Sequence, residues 1–203
     1  MSTDEAHVMK NPQYEIRELS LETWPDFEQL APQQGQCWCM YYHRAKPVTQ
    51  GMTKDEATTR NKKDKKALVR NNRSHAALVY DGPNLAGWCQ YGPKEELPRI
   101  DAGRNYNKLD PLPSELRLWR ITCFYVDKSY RNKGVARAAL KGALEFIKRE
   151  GGGIVEAYPV VSKKMAAVPE WLWFGTPKMF LNENFKQVAP LGTSLALMRK
   201  TIK

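Results

Sequence analysis

An apolar strand pattern, Leu118 to Val126, runs straight into a basic turn with one glycine, and an amphipathic helix pattern follows from about Gly134 to Glu150. The turn reduces to Arg131-x-x-Gly134-x-Ala136. A strand, a basic glycine turn and a helix in that order build an anion site. The first amides of a helix lack intrahelical partners, and the macrodipole adds partial positive charge there. Gly134 lets the backbone come close to a ligand, Ala136 keeps the first helical turn open, and Arg131 and Lys133 add full charge. A diphosphate fits such a turn. The segment is not a P-loop, which needs Gly-x-x-x-x-Gly-Lys-Ser/Thr, and it lacks the three glycines of a dinucleotide fingerprint.

At 203 residues, 42% hydrophobic and 27% charged, the chain is expected to form one globular domain, residues 13–203, behind a flexible tail, residues 1–12. No apolar run approaches the roughly 20 residues of a membrane helix. The polar, acidic start lacks the basic and apolar regions of a secretory signal, so a cytoplasmic location is the expectation. The formal charge of +10 draws anions, and much of it lies between Lys54 and Arg73. Without interleaved aromatics that segment reads as a solvated helix face, and nucleic-acid binding through it is the weaker reading. Cys37, Cys39, Cys89 and Cys123 read as reduced, mostly buried thiols. Cys37 and Cys39 are expected on one face of a short extended segment, Gln36 to Tyr42. Cys-x-Cys alone does not make a zinc knuckle, and no metal is expected.

Along the chain, Tyr14 to Leu19 alternates like a strand, and Thr23-Trp-Pro-Asp26 starts a helix. Thr53 to Asn71 is a second, basic helix. Ala76–Tyr80 and Leu85–Tyr91 form a hairpin across Asp81-Gly-Pro-Asn84. Gly92 to Glu115 is a long polar excursion. After the Gly134 helix, three glycines end it and Ile154–Tyr158 is a strand. Thr176-Pro177 caps a short helix, and Phe185–Val188 and Ser194–Met198 are closing strands.

This order, together with Val126 through Leu140 and Met179-Phe-Leu-Asn-Glu-Asn-Phe185, resembles the GNAT superfamily of acyl-CoA-dependent N-acyltransferases over roughly residues 14–200. The resemblance implies an α/β fold: a mixed sheet of about seven strands flanked by about four helices, splayed open to take acyl-CoA. It implies acetyl-CoA as co-substrate, with the backbone of Phe124, Tyr125 and Val126 holding pantetheine. The turn Arg131, Asn132, Lys133, Gly134, Val135 and Ala136 would hold the pyrophosphate. The tyrosine with which the family protonates the leaving thiolate aligns with Phe180, and the Asn seven residues earlier with Trp173. The family's Gly before the final aromatic is Asn184, which tolerates a left-handed backbone.

The implied reaction is direct transfer of an acetyl group to a primary amine. A lysine-like amine lies about 3.4 units above neutral pH, so deprotonating it costs roughly 4.6 kcal/mol. A carboxylate acting through water can take that proton. The family's usual glutamate position falls near Arg120, which leaves Glu156, Glu95, Glu96 and Glu115 as candidate bases, each also readable as a solvated surface carboxylate. Tyr158, at the end of its strand, is the candidate replacement for the missing acid, with Ser162 or a water as fallback. Glu156 and Tyr158 are thus the catalytic candidates. The 92–117 excursion and Cys37–His43 are expected to form the acceptor side, with His43, Trp38, Tyr41, Trp171 and Trp173 as possible contacts and plain packing as the alternative for each. A small-molecule acceptor is favoured over a protein lysine or N-terminus. A non-catalytic acyl-CoA-binding module is the alternative from another class, and homodimerisation is left open.

Overall fold

The computed structural model describes residues 9–10, 14–113 and 115–203. Among them an eight-stranded mixed sheet runs in the order β1-β2-β3-β4-β5-β6-β8-β7. Its strands are β1 (Met9–Lys10), β2 (Glu15–Glu18), β3 (His75–Asp81), β4 (Asn84–Pro93), β5 (Leu118–Val126), β6 (Gly153–Ala157), β7 (Lys186–Leu191) and β8 (Leu195–Ile202). All neighbours are antiparallel except β5 and β6, which run parallel with α3 (Val135–Arg149) as their crossover. This is the mixed sheet that the resemblance implied. The rest of the expected tail lies outside the described residues, but Met9–Lys10 pairs with β2.

Helix α3 covers one face. Its apolar stripe, including Val135, Ala139, Leu140, Ala143 and Ile147, packs on Ala77, Val79, Cys89, Ile121 and Val155. An interior glycine normally weakens a helix by about 1 kcal/mol. Gly142 has a packing reason, because a Cβ there would lie 2.5 Å from Ile16 Cγ2. The other face carries α1 (Trp24–Gln34) and α2 (Lys54–Arg70) over Leu78, Tyr80 and Trp88. Thr53 and Glu56 form a complete capping box at the start of α2. Two short helices, α4 (Lys163–Ala166) and α5 (Pro177–Leu181), follow β6.

Two expectations change. Gln36 to Tyr42 is a run of turns, not an extended segment, with Trp38 and Cys39 at positive φ of 51° and 55°. Helix α1 ends beneath the sheet and the chain must reverse at once, which alternation cannot report. The 92–117 excursion forms three short 3-10 turns and is anchored through buried Leu97 and Ile100.

Candidate functional site

The ladder between β4 and β5 continues to Val126, whereas β5 pairs with β6 only from Leu118 to Ile121. Beyond Ala157 the chain turns away: Val160 bridges Leu195 on one side and donates its N–H to Gly175 O, 3.2 Å away, on the other. The sheet therefore opens where β5 enters Thr122–Val126. The Asp127 N–H donates to Ala86 O at 2.9 Å. Alternation then turns the Phe124 and Val126 main-chain groups to the open side, where a ligand amide can pair with them as an added strand.

A β-bulge marks the same point. Gln90 pairs with Cys123 and Tyr91 with Ile121, leaving Thr122 as the extra residue. Its effect is a change of phase. Trp119, Ile121 and Phe124 pack on the α3 side, while consecutive Thr122 and Cys123 both face the α1 side. Tyr125 continues on that side, its ring 4.7 Å from Trp88.

The basic turn follows directly. Asp127 Oδ1 accepts the Ser129 N–H at 2.8 Å and starts it. Asn132 and Gly134 then take φ of 60° and 83°, and Gly134 is the N-cap of α3. A Cβ on Gly134 would meet nothing within 4 Å, so its requirement is conformational, and the space in front of it stays free. Tyr14 Oη donates to Lys133 O at 2.9 Å and ties the turn to the start of β2. Arg131, Asn132, Lys133 and Gly134 are exposed, while Val135 is buried and fixes the helix end. Free helix amides, two cations and open space suit a pyrophosphate.

At the foot of the opening, Glu156 is the register partner of both Arg120 on β5 and Arg199 on β8. It is 0% exposed. This corrects its reading as a solvated surface carboxylate. Glu156 Oε1 accepts from Arg199 Nε and Nη2 at 2.9 and 2.8 Å. Its Oε2 accepts from the Tyr106 and Tyr158 hydroxyls at 2.7 and 2.9 Å. Arg120 forms a bidentate pair with Asp101, at 2.9 and 2.6 Å, and donates to Leu97 O at 2.8 Å. Burial, with the Glu156 charge next to it, pushes the Tyr158 phenol well above its ordinary value. Asp101 and Tyr106 both come from the 92–117 excursion, so that segment completes the network.

The model of the acetyltransferase (GNAT) family matches residues 13–171. The chain belongs to that family. No curated protein matches it significantly. Many solved structures share its fold, among them the following three. An N-acetyltransferase from Staphylococcus aureus Mu50 aligns at TM-score 0.50 and 16% identity, over 96% of this chain and 100% of that one. The ribosomal-protein-S5-alanine acetyltransferase from Vibrio fischeri aligns at 0.52 and 11%, over 96% of each chain. NAA60 from Arabidopsis thaliana, solved with acetyl-CoA, aligns at 0.50 and 14%, over 93% of this chain and 98% of that one.

In this GNAT chain Phe180, which the resemblance aligned with the family's tyrosine acid, is buried between Phe124 and Phe185, with ring centroids 6.0 and 5.1 Å away. Asn184 has φ 61°, the left-handed backbone expected for it. His43 is held at both nitrogens, Nδ1 by Glu96 O at 2.8 Å and Nε2 by Ser74 Oγ at 3.0 Å. Burial holds its imidazole well below its usual range, which makes it a structural neutral histidine. Glu96 faces His75 at 3.4 Å, while Glu95 and Glu115 are exposed. Trp38 stacks 6.1 Å from Trp24 and is buried in the core. Tyr41, Trp171 and Trp173 are exposed, and the Arg99 guanidinium lies 4.2 Å over the Tyr41 ring.

The solvated face expected for Lys54–Arg73 also has an exception. Lys65 is 0% exposed, and its Nζ donates to Gln90 Oε1 at 2.7 Å. Gln90 Nε2 passes the chain on to Thr122 Oγ1 at the bulge, at 3.1 Å. Tyr106, Arg199, Asp101 and Lys65 carry no motif; an inward-facing lysine in a lysine-rich helix looks like its neighbours in sequence.

Proposed function

We propose that the chain is an acetyl-CoA-dependent N-acetyltransferase acting on a primary amine, most simply that of a small molecule. The observation that carries this reading is the half-paired β5, which ends in an exposed, left-handed Gly134 turn at the start of α3. Pantetheine amides would pair with Phe124 and Val126, with Tyr125 between them filling the α1-side wall. The Arg131–Ala136 turn would take the pyrophosphate through its amides and cations. Acetyl is the proposed group because the Arabidopsis neighbour was solved with acetyl-CoA. A small acceptor is favoured by the anchored 92–117 segment, which brings Asp101 to Arg120 on β5 and Tyr106 to Glu156 on β6.

For transfer, the amine must lose a proton and the departing thiolate must gain one. Tyr158 lies one residue past the last β5 partner on β6, and its proton already points at Glu156. The pair would act together: the phenol oxygen takes the amine proton as its own proton moves to Glu156, and the reverse shift supplies the thiolate. Main-chain N–H groups on the open half of β5 would stabilise the oxyanion.

The test is thiol release from acetyl-CoA with a panel of amines. Acceptor-dependent release is the expected result. Tight acetyl-CoA binding without release for any amine would reduce the protein to a non-catalytic acyl-CoA binder.

A further inference from the structure

Cys39 and Cys123 stand 84 residues apart in sequence, yet their sulfurs are 3.5 Å from each other. Cys39 sits in the Gln36–Cys39 turn after α1, and Cys123 is the second residue of the β5 bulge. Both are buried. All four cysteines are free thiols. Gln34 spans the pair, its Nε2 3.2 Å from Cys123 Sγ and its Oε1 3.3 Å from Cys39 Sγ. The Trp88 indole N–H points at Cys39 Sγ from 3.3 Å. The acyl-transfer chemistry uses none of these groups.

We infer that Cys39 and Cys123 are a reactive thiol pair that closes reversibly to a disulfide under a two-electron oxidant such as hydrogen peroxide. The sulfurs already touch, and bonding at about 2.05 Å needs an approach of roughly 1.5 Å. A turn is easier to move than a central strand, so Cys39 is the mobile partner. Its φ of 55° is a strained value for a residue with a Cβ, and a shift of this turn can relieve that strain.

The environment selects Cys39 as the nucleophile. Contact with Cys123 holds the Cys39 thiol below its ordinary range, and the Lys65 ammonium and the Trp88 N–H act in the same direction. The same contact pushes the Cys123 thiol well up, so Cys39 is the sulfur that gives up its proton more readily. The Cys39 thiolate attacks peroxide: an S–O bond forms, the O–O bond breaks and hydroxide leaves. Cys123 sulfur then displaces hydroxide from the sulfenic acid, and its proton leaves with that oxygen as water. Two thiols and one peroxide become one disulfide and two waters. A dithiol reductant reverses it. The bond would fix the Gln36–Cys39 turn to β5 at the bulge, beside the open half of the strand.

The experiment is peroxide titration of the purified full chain, alkylation of remaining thiols and non-reducing tryptic mass spectrometry. Cys37 and Cys39 share the peptide 18–44, and Cys123 lies in 121–128. The expected product joins these two peptides, is lost on adding dithiothreitol, persists in Cys37→Ser and Cys89→Ser, and is missing from Cys39→Ser. A link through Cys37 overturns the assignment. So does wild-type protein that keeps four alkylatable thiols, or goes only to sulfinic and sulfonic acids, under excess peroxide. The readout is a mass, so it stands whether or not the chain acetylates any amine.

Discussion

Tyr158 donates its phenolic hydrogen bond to Glu156, two residues earlier and on the same face of the chain, at 2.9 Å. The two groups form one unit because a strand repeats its facing every second residue. Tyr158→Phe removes the mobile proton and leaves the ring in place. We expect kcat to fall on the order of 10²-fold with acetyl-CoA affinity unchanged. Glu156→Gln should lower kcat by a similar factor and alter the pH profile, since an amide cannot take the phenol's proton. Parent rates in Tyr158→Phe would leave Tyr158 as a packing residue.

The pyrophosphate assignment predicts that Gly134→Glu abolishes CoA binding while the circular dichroism spectrum stays that of the parent. The substitution places a carboxylate in the open space before the α3 amides and puts a side chain on a φ of 83°. The backbone strain costs on the order of 1 kcal/mol, too little to unfold the domain. Calorimetry giving parental affinity in a folded variant would remove the turn from the site.

Asp101 neutralises the buried Arg120 guanidinium. Asp101→Ala leaves that charge with only neutral oxygens, and such a loss costs about 3 kcal/mol. Denaturant unfolding should show a loss of that size, despite the position of Asp101 in a polar connecting segment. A change within 0.5 kcal/mol would mean that Leu97 O and Tyr106 suffice.

His75 sits between Glu18 and Glu96, at 3.6 and 3.4 Å. Burial alone would lower its pKa, but hydrogen bonds to the two carboxylates override this and raise it to about 9. A raised folded-state value stabilises fully below the unfolded pKa near 6.5, and this contribution is lost as pH rises through 9. The linkage is worth roughly 3 kcal/mol at most. His75→Gln should therefore be less stable than the parent at pH 6, with the gap closing by pH 9.5. A pH-independent gap would show that the charge of His75 does not matter.

The sequence by itself determined what depends on near neighbours. The Gly134 turn, the Thr53 capping box, the Asp81–Asn84 hairpin and the stripe of α3 each need contacts only a few residues apart, so residue order reports them directly. The family resemblance rests on the order of these local units. The tertiary structure decided everything that needs a partner far along the chain. The slip at Thr122 exists only against Gln90 and Tyr91 on β4, and it alone turns Cys123 toward Cys39. Lys65 is one lysine among several until packing places it under Gln90. Glu156 reads as a surface carboxylate until Arg199, Tyr106 and Tyr158 converge on it. Burying a charge is unfavourable without such partners, and which residues supply them is set by how the sheet and its loops meet in space.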